Sequence, residues 1–169
     1  MPEKFRRHFL KSKDAKDFWD RVSKRLKVDL ERVFGTKVDV EVVEAEFAEI
    51  YLIDGKPLFA EVGGNVFPTL VFSEFLALAP KVVVDMGAVP HVCNGANVMA
   101  PGIVRFEGLF RNGDFVLVVD EKHGKALAIG EILYDVVEAE KVERDVVVRN
   151  VHFVGDKIWN FIKLSLAKA

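Results

Sequence analysis

The chain has a single cysteine, Cys93, so no disulfide can form within it, and one thiol among four dispersed histidines offers no zinc-ligand spacing. These shortages point to a reducing compartment and to a protein with no metal and no cofactor. Glutamine is missing altogether while Lys and Glu are plentiful, a composition that leans toward a heat-adapted source. No apolar run approaches the ~20 residues needed to cross a bilayer. The opening residues MPEKFRRHFLKSKD carry charge without the apolar stretch of a secretion signal. The expectation is a soluble, cytoplasmic protein with no membrane partner. Repeats and low-complexity segments are absent as well.

What is present is enough apolar side chain to build a core. Half of the 169 residues are hydrophobic, which suits one large domain or two small ones. The formal charge of −2 conceals an asymmetry along the chain. Residues 1–37 hold twelve Lys and Arg against six Asp and Glu, leaving the rest of the chain acidic. A basic lead of this kind has two readings, a nucleic-acid or ribosome contact or simply a solvated helix face.

The pattern predicts a short strand over Phe5–Leu10. From Asp14, apolar residues recur every three or four positions (Ala15, Phe18, Trp19, Val22, Leu26, Leu30, Val33, Phe34), predicting one amphipathic helix that ends at Gly35. Its opposite face would present a basic stripe roughly 30 Å long. Alternating runs at Val38–Val43 and Phe47–Ile53 and an apolar run at Leu58–Val62 predict strands, with Asp54-Gly55 as a hairpin turn. A helix is expected from Pro68-Thr69 through Leu78, stopped by Pro80. A domain boundary is placed there, giving domains 1–79 and 80–169. Beyond it, strand candidates follow at short intervals, at Val104–Glu107, Phe115–Asp120, Ala126–Leu133, Val136–Val142, Val146–Phe153 and Ile158–Lys163. Gly turns separate several of them, as in a small barrel or sandwich. Gly130, inside ALAIGEIL, predicts a bulge or a close backbone approach.

Between these halves lies VVVDMGAVPHVCNGANVMAPGI, Val82–Ile103, which reads as strand, short helix, turn and strand. Asp85 suits the N-cap, Asn94-Gly95 the helix stop, and Pro101-Gly102 a turn with positive φ at the glycine. Each of Gly87, Gly95 and Gly102 has a purely conformational reading beside a functional one, in which a small residue lets a phosphate or ribose approach the backbone. Cys93 and His91 stand two residues apart on the helical segment and so point apart, which disfavours a nucleophile and base pair. Glu138, Glu140 and Glu143 form an acidic exposed run with no partner base.

VVVDMGAVPHVCNGANVMAPGI followed by ALAIGEI resembles the PUA domain, the module shared by pseudouridine synthases and archaeosine transglycosylases. PLFAEVGGNVFPTLVFSEFLALAP before it and VRNVHFVGDKIWNF near the end resemble the malignant T-cell amplified sequence proteins, in an archaeal-type version. The resemblance implies an α+β chain, an α/β pre-PUA domain followed by a small mixed β-barrel of the PUA fold. It implies a noncatalytic RNA-binding protein of translation, contacting tRNA or small-subunit ribosomal RNA, with the small ribosomal subunit and a translation-factor protein as partners.

RNA-binding candidates are Gly87, Ala88, Gly95, Ala96, Asn97, Pro101, Gly102, Arg105, Arg149, Asn150 and His152. Residues 81–169 carry eleven basic against twelve acidic residues. Because phosphate contacts dominate affinity, a supporting basic patch is expected at Lys4, Arg6, Arg7, Lys11, Lys13, Arg21, Lys24 and Arg25. Two other classes remain open. One is a protein-interaction adaptor docking a translation factor through its pre-PUA domain, with the apolar helix Leu70–Leu78 as a surface. The other is an accessory subunit of a tRNA-modifying enzyme.

Overall fold

A computed structural model describes residues 4–35 and 37–166. The chain forms two compact units, residues 1–72 and 73–169. Together they make an α+β protein, the class the sequence implies.

The first unit is an antiparallel five-stranded sheet in the order β1 (Phe5–Phe9), β2 (Val40–Ala45), β3 (Glu49–Ile53), β4 (Lys56–Val62) and β5 (Asn65–Pro68). The Asp54-Gly55 hairpin forms as expected, with Asp54 itself taking a positive φ of 49° as the tight turn requires. Helix α1 (Ser12–Leu26) lays Phe18, Trp19 and Val22 on the sheet, where Phe18 stacks on Tyr51 with ring centroids 4.3 Å apart. The single long helix expected from periodicity is in fact two. Lys27 turns left-handed at φ 59°, and Asp29 caps a second helix, α2 (Leu30–Phe34), by accepting from Arg32 N at 3.2 Å. The apolar spacing runs through this break because both helices contribute to one cluster, in which Trp19 stacks on Phe34.

Pro68, expected with Thr69 to start a helix, instead ends strand β5. Pro68 is tolerated because β5 is the last strand of the sheet. Thr69 donates its hydroxyl to Pro57 O at 2.7 Å, and the helix begins only at α3 (Ser73–Leu78).

The second unit is a six-stranded sheet in the order β7 (Val98–Met99), β11 (Val146–Phe153), β10 (Ala126–Ile132), β9 (Phe115–Asp120), β6 (Lys81–Val84) and β8 (Ile103–Glu107). Its edge strands β7 and β8 are joined through one 3-10 turn, Ala100–Gly102, so the sheet must curl until its edges meet. Val82, Val84, Val116, Val118, Ala128, Ile132 and Val148 fill the interior. Gly130 marks a register shift against β11, and a Cβ there would sit 2.2 Å from Val148 Cγ1. The expected bulge and close approach are both present.

Two expected strands are helical. Residues 136–139 form one turn, α5 (Val136–Ala139), and Ile158–Lys163 lies in α6 (Lys157–Phe161) and a following π-turn, Ile162–Leu166. β-branched and aromatic composition misled there, because Asp156 caps α6 by accepting from Trp159 N at 2.7 Å.

Candidate nucleic-acid interface

One pairing organises the candidate surface. Strands β6 and β9 run parallel, with Val84 opposite Asp120, so the segments leaving them emerge at the same end of the barrel. Turn 85–88 and α4 (Val89–Val92) follow β6, and the hairpin loop 121–125 follows β9. Glu121 N donates to Val84 O at 2.9 Å, and Asp85 N donates to Gly102 O at 2.9 Å, which brings the 3-10 turn to the same place. Gly87, Ala88, Pro101 and Gly102 are therefore neighbours, as the sequence motif implied.

The glycines are there for different reasons. Gly95 adopts φ +93° with its Cα facing the Phe153 ring, so conformation and packing both demand it. Gly102 departs from the expected turn, since its φ is not in the positive range. It needs no side chain because a Cβ would lie 3.2 Å from Ala88 Cβ. Gly87 is exposed and its φ is not in the positive range, but a Cβ would sit 3.3 Å from the Asp85 oxygen that accepts from Ala88 N, so a side chain there would crowd that carboxylate alone. Asp85, expected as the N-cap, instead closes turn 85–88 by accepting from Ala88 N at 2.8 Å, and α4 is capped at Ala88 with no side-chain hydrogen bond. α4 is a single turn, so the aligned dipole of a long helix is missing.

Asn150 holds the rest of the motif to the sheet. Its backbone N donates to Asn97 Oδ1 at 2.9 Å, and its Nδ2 donates to Val92 O and Ala96 O, each at 3.0 Å. Asn150 thus spends its amide on shaping the loop that presents the exposed Ala96 and Asn97. His152 is a correction. It is completely buried, with Nδ1 2.8 Å from Asp156 Oδ2, and offers no surface to RNA. Its place in an alternating strand fitted a surface contact only if its face were the outer one.

Arg105 and Arg149 are exposed but engaged, Arg105 with Glu107 at 2.9 Å and Arg149 with Glu131 at 3.4 Å. The cations the motif lacks come instead from the β9–β10 hairpin, where Lys122, His123 and Lys125 are all exposed. Asp120 builds that loop by accepting from the backbone N of Lys122, His123 and Lys125 at 2.9, 2.5 and 2.9 Å. The His123, Lys125 and Lys122 amides hold its carboxyl below the usual range against the opposing effect of burial. Glu121 is exposed beside them, so this end is mixed in charge. Lys125 is also close enough to α4 to act on Cys93, whose thiol burial pushes up while the ammonium pulls the other way. Sequence reasoning missed these three residues. The signal was His123-Gly124 flanked by two lysines, but nothing short of the parallel β6–β9 pairing sets it beside Gly87.

Three arginines of the expected basic patch of the first unit are paired with carboxylates. Arg7 makes a two-pronged ion pair with the buried Glu41 at 2.8 and 2.9 Å, Arg21 reaches Glu61 at 2.6 Å, and Arg6 lies 3.4 Å from Glu44. Lys4, Lys11, Lys13 and Lys24 are exposed and Arg25 half-buried. On α1 the exposed Asp14, Asp17 and Asp20 interrupt the stripe. Of the apolar surface expected around Leu70–Leu78, Leu70 and Phe72 are buried ahead of α3, while on α3 itself Phe75 and Leu76 are half-buried and Leu78 is open at 87% exposure. Among the described residues no helix is long and apolar enough to cross a membrane, and no cluster of His, Cys, Asp and Glu could hold a metal ion.

Residues 80–154 match the family model of the PUA domain, and residues 6–73 match a domain of unknown function, DUF1947. A hypothetical protein of known structure from the hyperthermophilic archaeon Pyrococcus horikoshii is 38% identical, with a TM-score of 0.72 over 92% of this chain and 98% of that one. Translation machinery-associated protein 20 of Saccharomyces cerevisiae is 29% identical over 78% of this chain and 77% of its own length. Malignant T-cell-amplified sequence 1-B of Xenopus laevis is also 29% identical, over 78% of this chain and 76% of its own.

Proposed function

The chain belongs to the family of two-domain PUA proteins that includes the malignant T-cell-amplified sequence and translation machinery-associated proteins, and from that premise we infer an RNA-associated role in translation. The finer reading is noncatalytic binding of tRNA or small-subunit ribosomal RNA, with the small ribosomal subunit and a translation factor as partners, in the cytoplasm. Domain 80–169 makes the RNA contact and domain 1–79 serves the partner.

The observation that carries the RNA reading is the convergence of the exposed Gly87 and the exposed Lys122, His123 and Lys125 at one end of the barrel. An exposed glycine lets a sugar–phosphate backbone approach closely, and two lysines supply point charges for phosphates. Recognition by shape and backbone needs few base-reading side chains. Ala88, Ala96, Asn97, Pro101 and Gly102 complete the contact surface, with Gly95 and Asn150 shaping it from beneath.

Binding of tRNA, of tRNA lacking its 3′ CCA, and of small ribosomal subunits, measured by gel shift at several salt concentrations, tests this reading. Association that weakens with salt and with Lys122→Glu/Lys125→Glu supports it. Failure of all three to bind at low salt would sink it.

A further inference from the structure

Strand β1 ends the sheet of the first unit, pairs with β2 alone, and leaves every one of its side chains exposed. The register shows which backbone groups look outward. Leu10 N donates to Val40 O at 2.8 Å, so Leu10, and by alternation His8 and Arg6, direct their backbone groups toward β2. Arg7 and Phe9 direct theirs away from the sheet, toward solvent. Among the described residues no proline, bulge or covering strand blocks this edge, and its guards are its shortness and the basic Arg6 and Arg7, which turn away a basic strand but not an acidic one.

The side chains say what the edge would accept. On one face Phe9 is 63% exposed beside Arg7, whose guanidinium is held flat by the Glu41 pair. On the other face stand Arg6 and His8, with Lys4 and Lys11 at the strand's ends. A second copy of β1 pairing here would set basic residues directly opposite one another, which is unfavourable. A strand alternating carboxylates with β-branched residues would put charge partners against Arg6 and His8 and apolar groups against Phe9.

We propose that β1 is a docking edge for an extended peptide segment of a partner protein, one that alternates acidic and apolar side chains and adds a sixth strand to this sheet. This does not depend on the RNA reading, which concerns the other unit.

The full chain, 15N-labelled, is titrated with acetyl-Val-Glu-Val-Glu-Val-Glu-amide and with the matching Val-Lys peptide, and followed by amide shifts and amide exchange. The Glu peptide should shift and protect the Arg7 and Phe9 amides, and added salt should weaken it, with the Lys peptide at least about tenfold weaker. Phe9→Pro removes one outward donor and an aromatic face while sparing the His8 and Leu10 bonds to β2, and should weaken the Glu peptide about tenfold. Arg6→Glu, which leaves the backbone untouched, should reverse the preference between the two peptides. Shifts centred elsewhere, equal binding of both peptides, or self-association through β1 would overturn the proposal. So would an oligonucleotide that moves the Arg7 and Phe9 amides when the Glu peptide does not.

Discussion

The first 37 residues carry twelve Lys and Arg against six Asp and Glu, but the strands that follow bring the carboxylates that balance them, so residues 1–72 hold thirteen of each sign and both units are close to neutral. The first unit spends Arg6, Arg7 and Arg21 on Glu44, Glu41 and Glu61. Lys4, Lys11, Lys13 and Lys24 stay exposed there, whereas the second unit gathers its exposed Lys122 and Lys125 at the end of the barrel that carries the exposed Gly87. A count of residues along a chain measures charge before pairing. What a polyanion meets is the charge left after strands have placed carboxylates opposite guanidiniums.

The largest test of this contrast concerns what holds the second unit's surface in place. Asp156 caps α6 and also accepts from Phe153 N at 3.0 Å and sits against the buried His152. Asp156→Ala should cost about 2–4 kcal/mol of stability, read from urea unfolding. Gly130→Ala comes next, since its Cβ would fall on Val148 and overpacking costs about 1–3 kcal/mol. Gly87→Ala, whose Cβ would crowd only the Asp85 carboxylate, should cost less than Gly130→Ala, about 1 kcal/mol or less, and still weaken RNA binding. A stability loss at Gly87 comparable to that at Gly130 would return the motif to a purely conformational role.

The charge contrast is tested by reversal. Lys122→Glu/Lys125→Glu should lower RNA affinity about tenfold or more and reduce the salt slope by about 1.4, the value for two phosphate contacts on a single strand. Arg6→Glu should change RNA affinity less than about twofold, because Arg6 belongs to the first unit and lies outside the proposed contact residues. Equal losses from the two variants would erase the distinction between the units.

The smallest effect is on pH. Hydrogen bonds from Arg7 hold Glu41 below the usual carboxylate range against burial, and its charge helps. For Asp156 burial pushes upward, but His152 and the amides of Trp159 and Phe153 outweigh it, so its carboxyl is also held low. A depressed folded-state pKa gives stability that is present above the unfolded value, about 4, and lost as pH falls through the folded one. Urea midpoints should therefore fall on the acid side of about pH 4. Glu41→Gln should flatten that loss in the first unit and Asp156→Asn in the second.

The sequence carried much of this. The hairpin at Asp54-Gly55, the close approach at Gly130 and the family motif were readable, because each rests on local backbone chemistry, whereas Asp85 closes a turn before α4 and does not cap it. The break between α1 and α2 was hidden because apolar spacing continues through it, and α6 because its Ile, Trp and Phe also suit a strand. The buried state of His152 and the nearness of Lys122 and Lys125 to Gly87 depend on strand pairings between residues far apart in the chain. Periodicity does not encode those.

The most direct test is a hydrogen-exchange footprint of the full chain with and without tRNA at low salt. Protection is expected at residues 85–97 and 121–125, with α1 unchanged. Protection confined to residues 12–26, with the turn and the β9–β10 hairpin exchanging as in the free protein, would contradict the account.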